Sequence, residues 1–263
     1  MLGKLMKYEM SAMGRILLPL YVALLFMSLV MGIVVNILDV WAIFKGIVIL
    51  LYSAVAIGAA IMTAILIVRR FYKNLLGNEG YLTFALPVTT GRHIWNKGIT
   101  AIMWMTIGSI VGILSALIII ASTGELRLLE IGTMFSRVWE LVGAKVLLYS
   151  VELLVVFFLS MAHTILQIYA AISLGHLWSN YRILGAILAY LGLSVAETII
   201  FSSLGRIGIG IGLMGDTSKL IVALGDEGPF HLILLVLGAY SAIISVAYYV
   251  ITHYILKNKL NLE

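Results

Sequence analysis

Hydrogen-bonding and ionisable side chains interrupt two otherwise apolar stretches of this sequence, and their spacing is helical. At about 100° per residue, Tyr149, Glu152, Ser160, His163 and Gln167 fall within a wedge of about 80°. Val156 alone breaks that stripe. Tyr190, Ser194 and Glu197 repeat the pattern further along the chain. Such faces have three uses. They can hold helices together, at about 0.6–2 kcal/mol per hydrogen bond. They can line a wet substrate path. Or they can pass protons among Glu152, Glu197 and His163. A charge at mid-bilayer costs about 2.5–3.5 kcal/mol on insertion scales, so ionisable residues at that depth are functional candidates. Glu152 and Glu197 both fall toward the outer ends of their stretches and are expected to share one outward-facing cavity. If the first stretch begins late, Glu152 is an interfacial acid instead.

Other chemistry is poorly represented. The chain has no cysteine, which removes disulfides, thiolate metal sites and cysteine nucleophiles. Histidines at 93, 163, 176, 231 and 253 form no ligand set by spacing, and no metalloprotease or serine-hydrolase motif is present. The chain is therefore not expected to be an enzyme by itself or to bind a metal. Gly210, Gly212 and Gly215 match the dinucleotide fingerprint formally, but that motif needs a strand before it, a helix after it and a soluble βαβ unit around it. Asp216 also stands where a phosphate loop needs lysine.

The elements that must position these residues follow from composition. Hydrophobic residues make up 62% of 263 and charged residues 11%, and the mean hydropathy is +1.12. Globular domains carry roughly 25% charge, so a bilayer is the natural solvent of this chain. A hydrocarbon core of about 30 Å needs roughly 20 apolar residues per helix. Six stretches qualify: 16–38, 46–68, 98–121, 146–173, 183–204 and 230–252. They are too long and too evenly apolar for barrel strands. The expected fold is an all-α integral membrane protein, residues 1–263 forming a single transmembrane domain. Eleven of the 17 basic residues, Lys4, Lys7, Arg15, Arg69, Arg70, Lys73, Arg92, Lys97, Arg182, Lys257 and Lys259, then share the side that holds both termini. The positive-inside rule makes that side cytoplasmic. The same rule accounts for the net charge of +5, and no nucleic-acid partner is expected.

Between the spans, residues 2–13 pattern as a short amphipathic helix at the inner interface. Leu128, Ile131, Phe135, Val138 and Val142 recur as an amphipathic helix on the outer surface, a cap or a gate. Gly205–Gly228 reads as a glycine-rich outer loop, suited to tight packing or a re-entrant segment. Gly108, Gly112 and Ala116 form a small-residue seam for close packing, within the chain or in a dimer. The cytoplasmic segment between spans two and three, 69–97, is too apolar for disorder. A helix continuing from span two is expected to end at Gly77. Asn78 then caps a second, which Pro87 stops after Leu86, and Thr89 or Thr90 caps a third leading into span three. The middle piece would lie parallel to the membrane and present Glu79, Tyr81, Leu82, Phe84 and Leu86 to whatever docks below, or serve only as an interfacial anchor.

In these features the chain resembles the permease subunit of a type-2 ATP-binding-cassette (ABC) exporter, of the kind found among bacterial drug, bacteriocin and lantibiotic exporters. The resemblance rests on the aromatic-rich loop, its Leu86-Pro87 stop, Lys97 ahead of span three, the basic amphipathic start and the six-span layout. It covers the whole chain in layout and about 30 residues in motif. It implies that Asn78, Glu79, Gly80, Tyr81, Leu82, Phe84, Leu86 and Pro87 form a coupling helix seated in a separate ATPase subunit. It further implies that ATP and Mg bind that partner rather than this chain, and that two permeases work with two ATPases in a bacterial cell membrane. On this reading Tyr149, Glu152, Ser160, His163, Gln167, Tyr190, Ser194 and Glu197 line the substrate path. The alternatives are a proton-coupled secondary transporter using Glu152, Glu197 and His163, and a non-transporting immunity or scaffold protein of the membrane.

The native absence of cysteine permits a direct check of orientation. In intact cells, Asn78→Cys and Asn258→Cys are expected to resist an impermeant maleimide until the membrane is opened, whereas Thr133→Cys reacts from outside. Labelling of Asn78→Cys in sealed cells would invert the topology.

Overall fold

A computed structural model describes residues 2–37, 41–77, 89–122, 145–178, 181–214 and 228–259, with isolated residues between 132 and 143. It is helical throughout, with no strand among the described residues. Six helices are long and apolar enough to cross a membrane, which makes this a multi-pass membrane protein by length and composition. They are α1 (Leu2–Gly32), α2 (Ala42–Phe71), α3 (Thr90–Ser122), α4 (Lys145–Gly175), α5 (Arg182–Met214) and α6 (Gly228–Asn258). At about 1.5 Å per residue each is longer than the hydrocarbon core is thick. Large apolar side chains such as Phe26, Leu50, Ile113, Val195 and Leu235 are exposed, as side chains that face lipid tails would be.

Two helices run well beyond their apolar stretches. A π-helical turn, Tyr72–Leu76, extends α2, and α3 begins at Thr90, ahead of Lys97. Each adds about two turns, or roughly 12 Å, of rigid rod to the side that carries the termini. Gly77 ends the first rod, its N–H donating to the Tyr72 carbonyl at 2.8 Å. The third helix expected to lead into span three begins at Thr90 and is the first part of α3. Residues 78–88, with the expected coupling helix, lie outside the described residues. So do most of the outer segment 123–144.

The N-terminal segment also differs from expectation. Residues 2–13 are not a separate interfacial helix but the start of α1, which continues through Pro19 without a break. The reason is on α3: Lys97 Nζ donates to Glu9 Oε1 at 2.7 Å, with only 6% and 10% of the two side chains exposed. An acid bound this way to a neighbouring helix holds its segment in the bundle instead of on the surface. A second π-helical turn, Ile33–Ile37, follows α1 at its other end.

The chain divides into two compact units, 1–70 with 92–150, and 71–91 with 151–263. The first is centred on hydroxyl contacts. Tyr21 Oη lies 3.0 Å from Thr63 Oγ1 and 3.3 Å from the Trp104 carbonyl, and Tyr52 Oη lies 2.9 Å from Ser115 Oγ. These join α1, α2 and α3 without placing a charge inside the membrane. Gly108 lies against the Tyr21 hydroxyl, so this member of the small-residue seam serves packing within the chain. In the second unit α4 and α5 turn sharply at their connection. Any Cβ on Gly175 would collide with the backbone nitrogen of Ala186, so only glycine permits that approach.

Breaking the buried ion pair should be costly, since an uncompensated buried charge costs about 3–5 kcal/mol. Lys97→Met in detergent is expected to melt well below the wild type, and adding Glu9→Gln should recover much of the loss. Single and double variants that melt together would show that the pair does not anchor α1.

Candidate functional site in the second unit

Three helices, α4, α5 and α6, place their polar side chains in three rungs. The central rung is built on Glu197, in the middle of α5. His163 Nε2 of α4 lies 3.2 Å from Glu197 Oε1. The Tyr248 hydroxyl of α6 donates a short hydrogen bond to the same oxygen, and the Tyr240 hydroxyl donates to the Glu197 backbone carbonyl at 3.3 Å. Rings surround the carboxylate: the His163 imidazole is 5.8 Å from Tyr248 and 6.4 Å from Tyr240, and Phe201 meets Tyr240 edge-on at 5.4 Å. The other ring nitrogen, His163 Nδ1, is buried and has no hydrogen-bond partner.

On the side of the termini, the next rung joins Gln167 Nε2, as donor, to Ser194 Oγ at 3.1 Å. The third lies toward the opposite ends of α4 and α6, where His231 Nδ1 sits 2.7 Å from Glu152 Oε2. The order of the contacts along each helix has α4 and α6 running parallel and α5 antiparallel to both.

Glu152 and Glu197 take different partners, His231 for the first and His163 with Tyr248 for the second. The candidate span Arg182–Leu204 holds Glu197 seven positions from its second end, as expected, and the helix itself continues to Met214. Glu152 belongs to a different rung, eleven positions or about 16 Å from His163 along α4. The continuation of α5 also corrects the glycine-rich loop. Its first part, including Gly210 and Gly212, is helical, which rules out the strand that a dinucleotide fingerprint requires.

Of the eight residues expected on a path, the structure pairs His163 with Glu197 and Gln167 with Ser194, and sets Glu152 against His231 instead. Tyr149 is half-buried, while Ser160 and Tyr190 are exposed. An apolar groove on α4, lined by Val151, Leu154, Val155, Phe158 and Leu159, lies on the helix face opposite the polar stripe. Sequence reading placed the sixth span but named no site residue on α6. Its signal was present: Ser241, Ser245, Tyr248 and Thr252 recur at steps of four, three and four, and the last three are buried.

Electrostatically the central rung is isolated. Among the described residues of α4–α6 the basic side chains are Lys145, Arg182, Arg206 and Lys257. Three stand at helix ends and Arg206 is roughly 13 Å along the axis from Glu197. Among the described residues, the group that pairs with the Glu197 carboxylate and can carry positive charge is His163. No cluster of three metal-ligating side chains occurs among the described residues. What the rung can do is hold one positive charge next to a carboxylate inside an aromatic frame.

The rungs should differ in strength. Tyr248→Phe leaves a central carboxylate without its donor and is expected to cost about 1–3 kcal/mol. Glu152→Gln alters a pair that is about 30% exposed on each side, worth at most about 1 kcal/mol. Thermal melts of the two variants in one detergent should separate accordingly; equal losses would contradict the ranking. Comparison with known proteins found no matching family model, no matching curated protein and no matching solved structure.

Proposed function

We propose that this chain is the membrane-spanning permease subunit of a type-2 ATP-binding-cassette exporter in a bacterial cell membrane. It moves a peptide, lipid or amphipathic small molecule, using ATP hydrolysed by a separate ATPase subunit, and two permeases work with two ATPases. The resemblance of the 69–97 segment motivates this reading. One structural observation supports it: the described ends of the segment between α2 and α3, 71–77 and 89–91, belong to the unit of α4–α6.

Both ends of the segment are fastened within that unit. Phe71 stacks on Tyr169 of α4, ring centroids 3.8 Å apart and planes 11° from parallel, and both rings are fully buried. At the other end Gly91 lies directly under the Tyr249 hydroxyl of α6. A load applied to Asn78–Leu86 by a docked ATPase would enter α4 and α6 through these contacts. Those helices hold Glu197 from either side, so force from ATP would reach the polar rungs without crossing a lipid-filled gap. An interfacial anchor would need no such fastening.

The test is gentle purification of the tagged chain from its native membranes with mass spectrometry of what accompanies it. A near-stoichiometric ATPase bearing a phosphate loop is expected, lost when Glu79, Tyr81 and Phe84 are changed to alanine. Tyr169→Ala should keep the ATPase bound yet abolish the effect of transport substrate on its turnover. A chain that purifies alone, or a partner indifferent to the loop, would sink the proposal and favour proton-coupled transport.

A further inference from the structure

We propose that the end of the second unit on the side of the termini is a surface for anionic phospholipid headgroups, centred on Trp178, Tyr181 and Arg182 at the α4–α5 corner. It requires that the chain crosses a bilayer and nothing of the exporter reading.

Two glycines build the corner. Gly175 admits the backbone of Ala186, and a Cβ on Gly185 would come within 3.0 Å of the Gly175 carbonyl oxygen. The chain reverses here in a tight turn, the Trp178 N–H donating to the Gly175 carbonyl at 3.2 Å. The Trp178 ring lies over Gly185, its Cε3 3.0 Å from where a Cβ would stand. The ring is thus held from one side while 53% of the residue stays exposed. Tyr181 follows, 69% exposed, and Arg182 opens α5 half-buried. Large amphipathic rings fixed in this way suit the layer where lipid tails meet headgroups.

Charge selects the headgroup. Among the described residues of this unit the basic side chains are Lys73, Arg182, Arg206, Lys257 and Lys259, and all but Arg206 stand at this end. The described acids are Glu152 and Glu197, and histidines elsewhere in the unit take both. Among the described residues, four cations therefore meet no acid of their own unit. Lys73, Lys257 and Lys259 are exposed, and the exposed Tyr254 stands one turn before Lys257. Basic groups at the ends of membrane helices attract anionic headgroups, each worth about fivefold in affinity near the surface. A zwitterionic headgroup brings its own ammonium group and gains less.

The apolar neighbours commit the surface to a lipid instead of a free anion. Leu177 and Ile183 flank the corner, and both are exposed. A headgroup phosphate beside Arg182 would leave its tails to run along these side chains, whereas inorganic phosphate has nothing to lay on them or on the rings.

The test is native mass spectrometry of the purified full chain in a neutral detergent, titrated with phosphatidylglycerol or with phosphatidylcholine of identical tails. Phosphatidylglycerol is expected to bind at least about tenfold more tightly, and less so as salt rises. Arg182→Gln, Lys257→Gln and Lys259→Gln together should remove that preference. Lys7→Gln, Arg15→Gln and Arg69→Gln, which remove three exposed basic residues of the first unit, should leave most of it. Trp178→Ala should weaken retention of both lipids, and inorganic phosphate at the lipid's concentration should displace neither. Equal retention of the two lipids overturns the proposal and needs no variant, so the test stands even if a triple variant fails to fold. Equal loss from the two triple variants, unchanged retention in Trp178→Ala, or displacement by phosphate overturns it as well. A negative result here leaves the ATPase experiment untouched, and loss of the ATPase leaves this surface untouched.

Discussion

A carboxylate at the centre of a membrane helix must be met from every side, and Glu197 sets that requirement for half of this protein. Its oxygens and its backbone carbonyl draw His163 from α4 and Tyr240 and Tyr248 from α6. Joining those three helices at one residue constrains their register elsewhere. The Gln167–Ser194 contact and the Glu152–His231 pair lie along the same helices. Lipid tails are as apolar as leucine, so packing alone gives little reason to prefer one register over the next. Polar contacts supply it.

The other unit solves the same problem with less charge. Its membrane interior is joined by tyrosine, threonine and serine hydroxyls, and its one buried ion pair, Lys97 with Glu9, lies near the end that carries the N-terminus. Hydroxyls can fall back on their own helix, as Thr63 does by donating to the Ala59 carbonyl at 2.8 Å. A carboxylate cannot. The two units therefore differ in how much it costs to slide their helices apart: little for hydroxyl pairs that can retreat to the backbone, much for a charge that has nowhere else to go.

Much of this was legible in the residues. Six long apolar runs and an absence of charge predict six helices, and the 80° wedge on α4 marks the face that meets other helices. Helix ends were less legible, because hydropathy reports where lipid begins and not where hydrogen bonding stops. Span five ends at Leu204 by hydropathy, yet α5 continues to Met214. The partners of the two acids were hidden for another reason. His231 and Tyr248 lie 79 and 51 positions away from Glu152 and Glu197, and one helical stripe cannot say which other stripe it meets. The fused start of α1 was invisible in the same way, since it depends on a lysine 88 positions further on.

The stacking of Phe71 on Tyr169 carries a consequence for biosynthesis. Phe71 leaves the ribosome with α2, but its partner ring follows about a hundred residues later. At roughly 5–20 residues per second, Phe71 waits on the order of ten seconds for its partner ring. The other flank is completed only when α6 brings Tyr249 over Gly91. A chain cut off before its last helix would keep the Phe71–Tyr169 stack and lack the contact over Gly91, so the last span made completes the packing of the residues that flank 78–88.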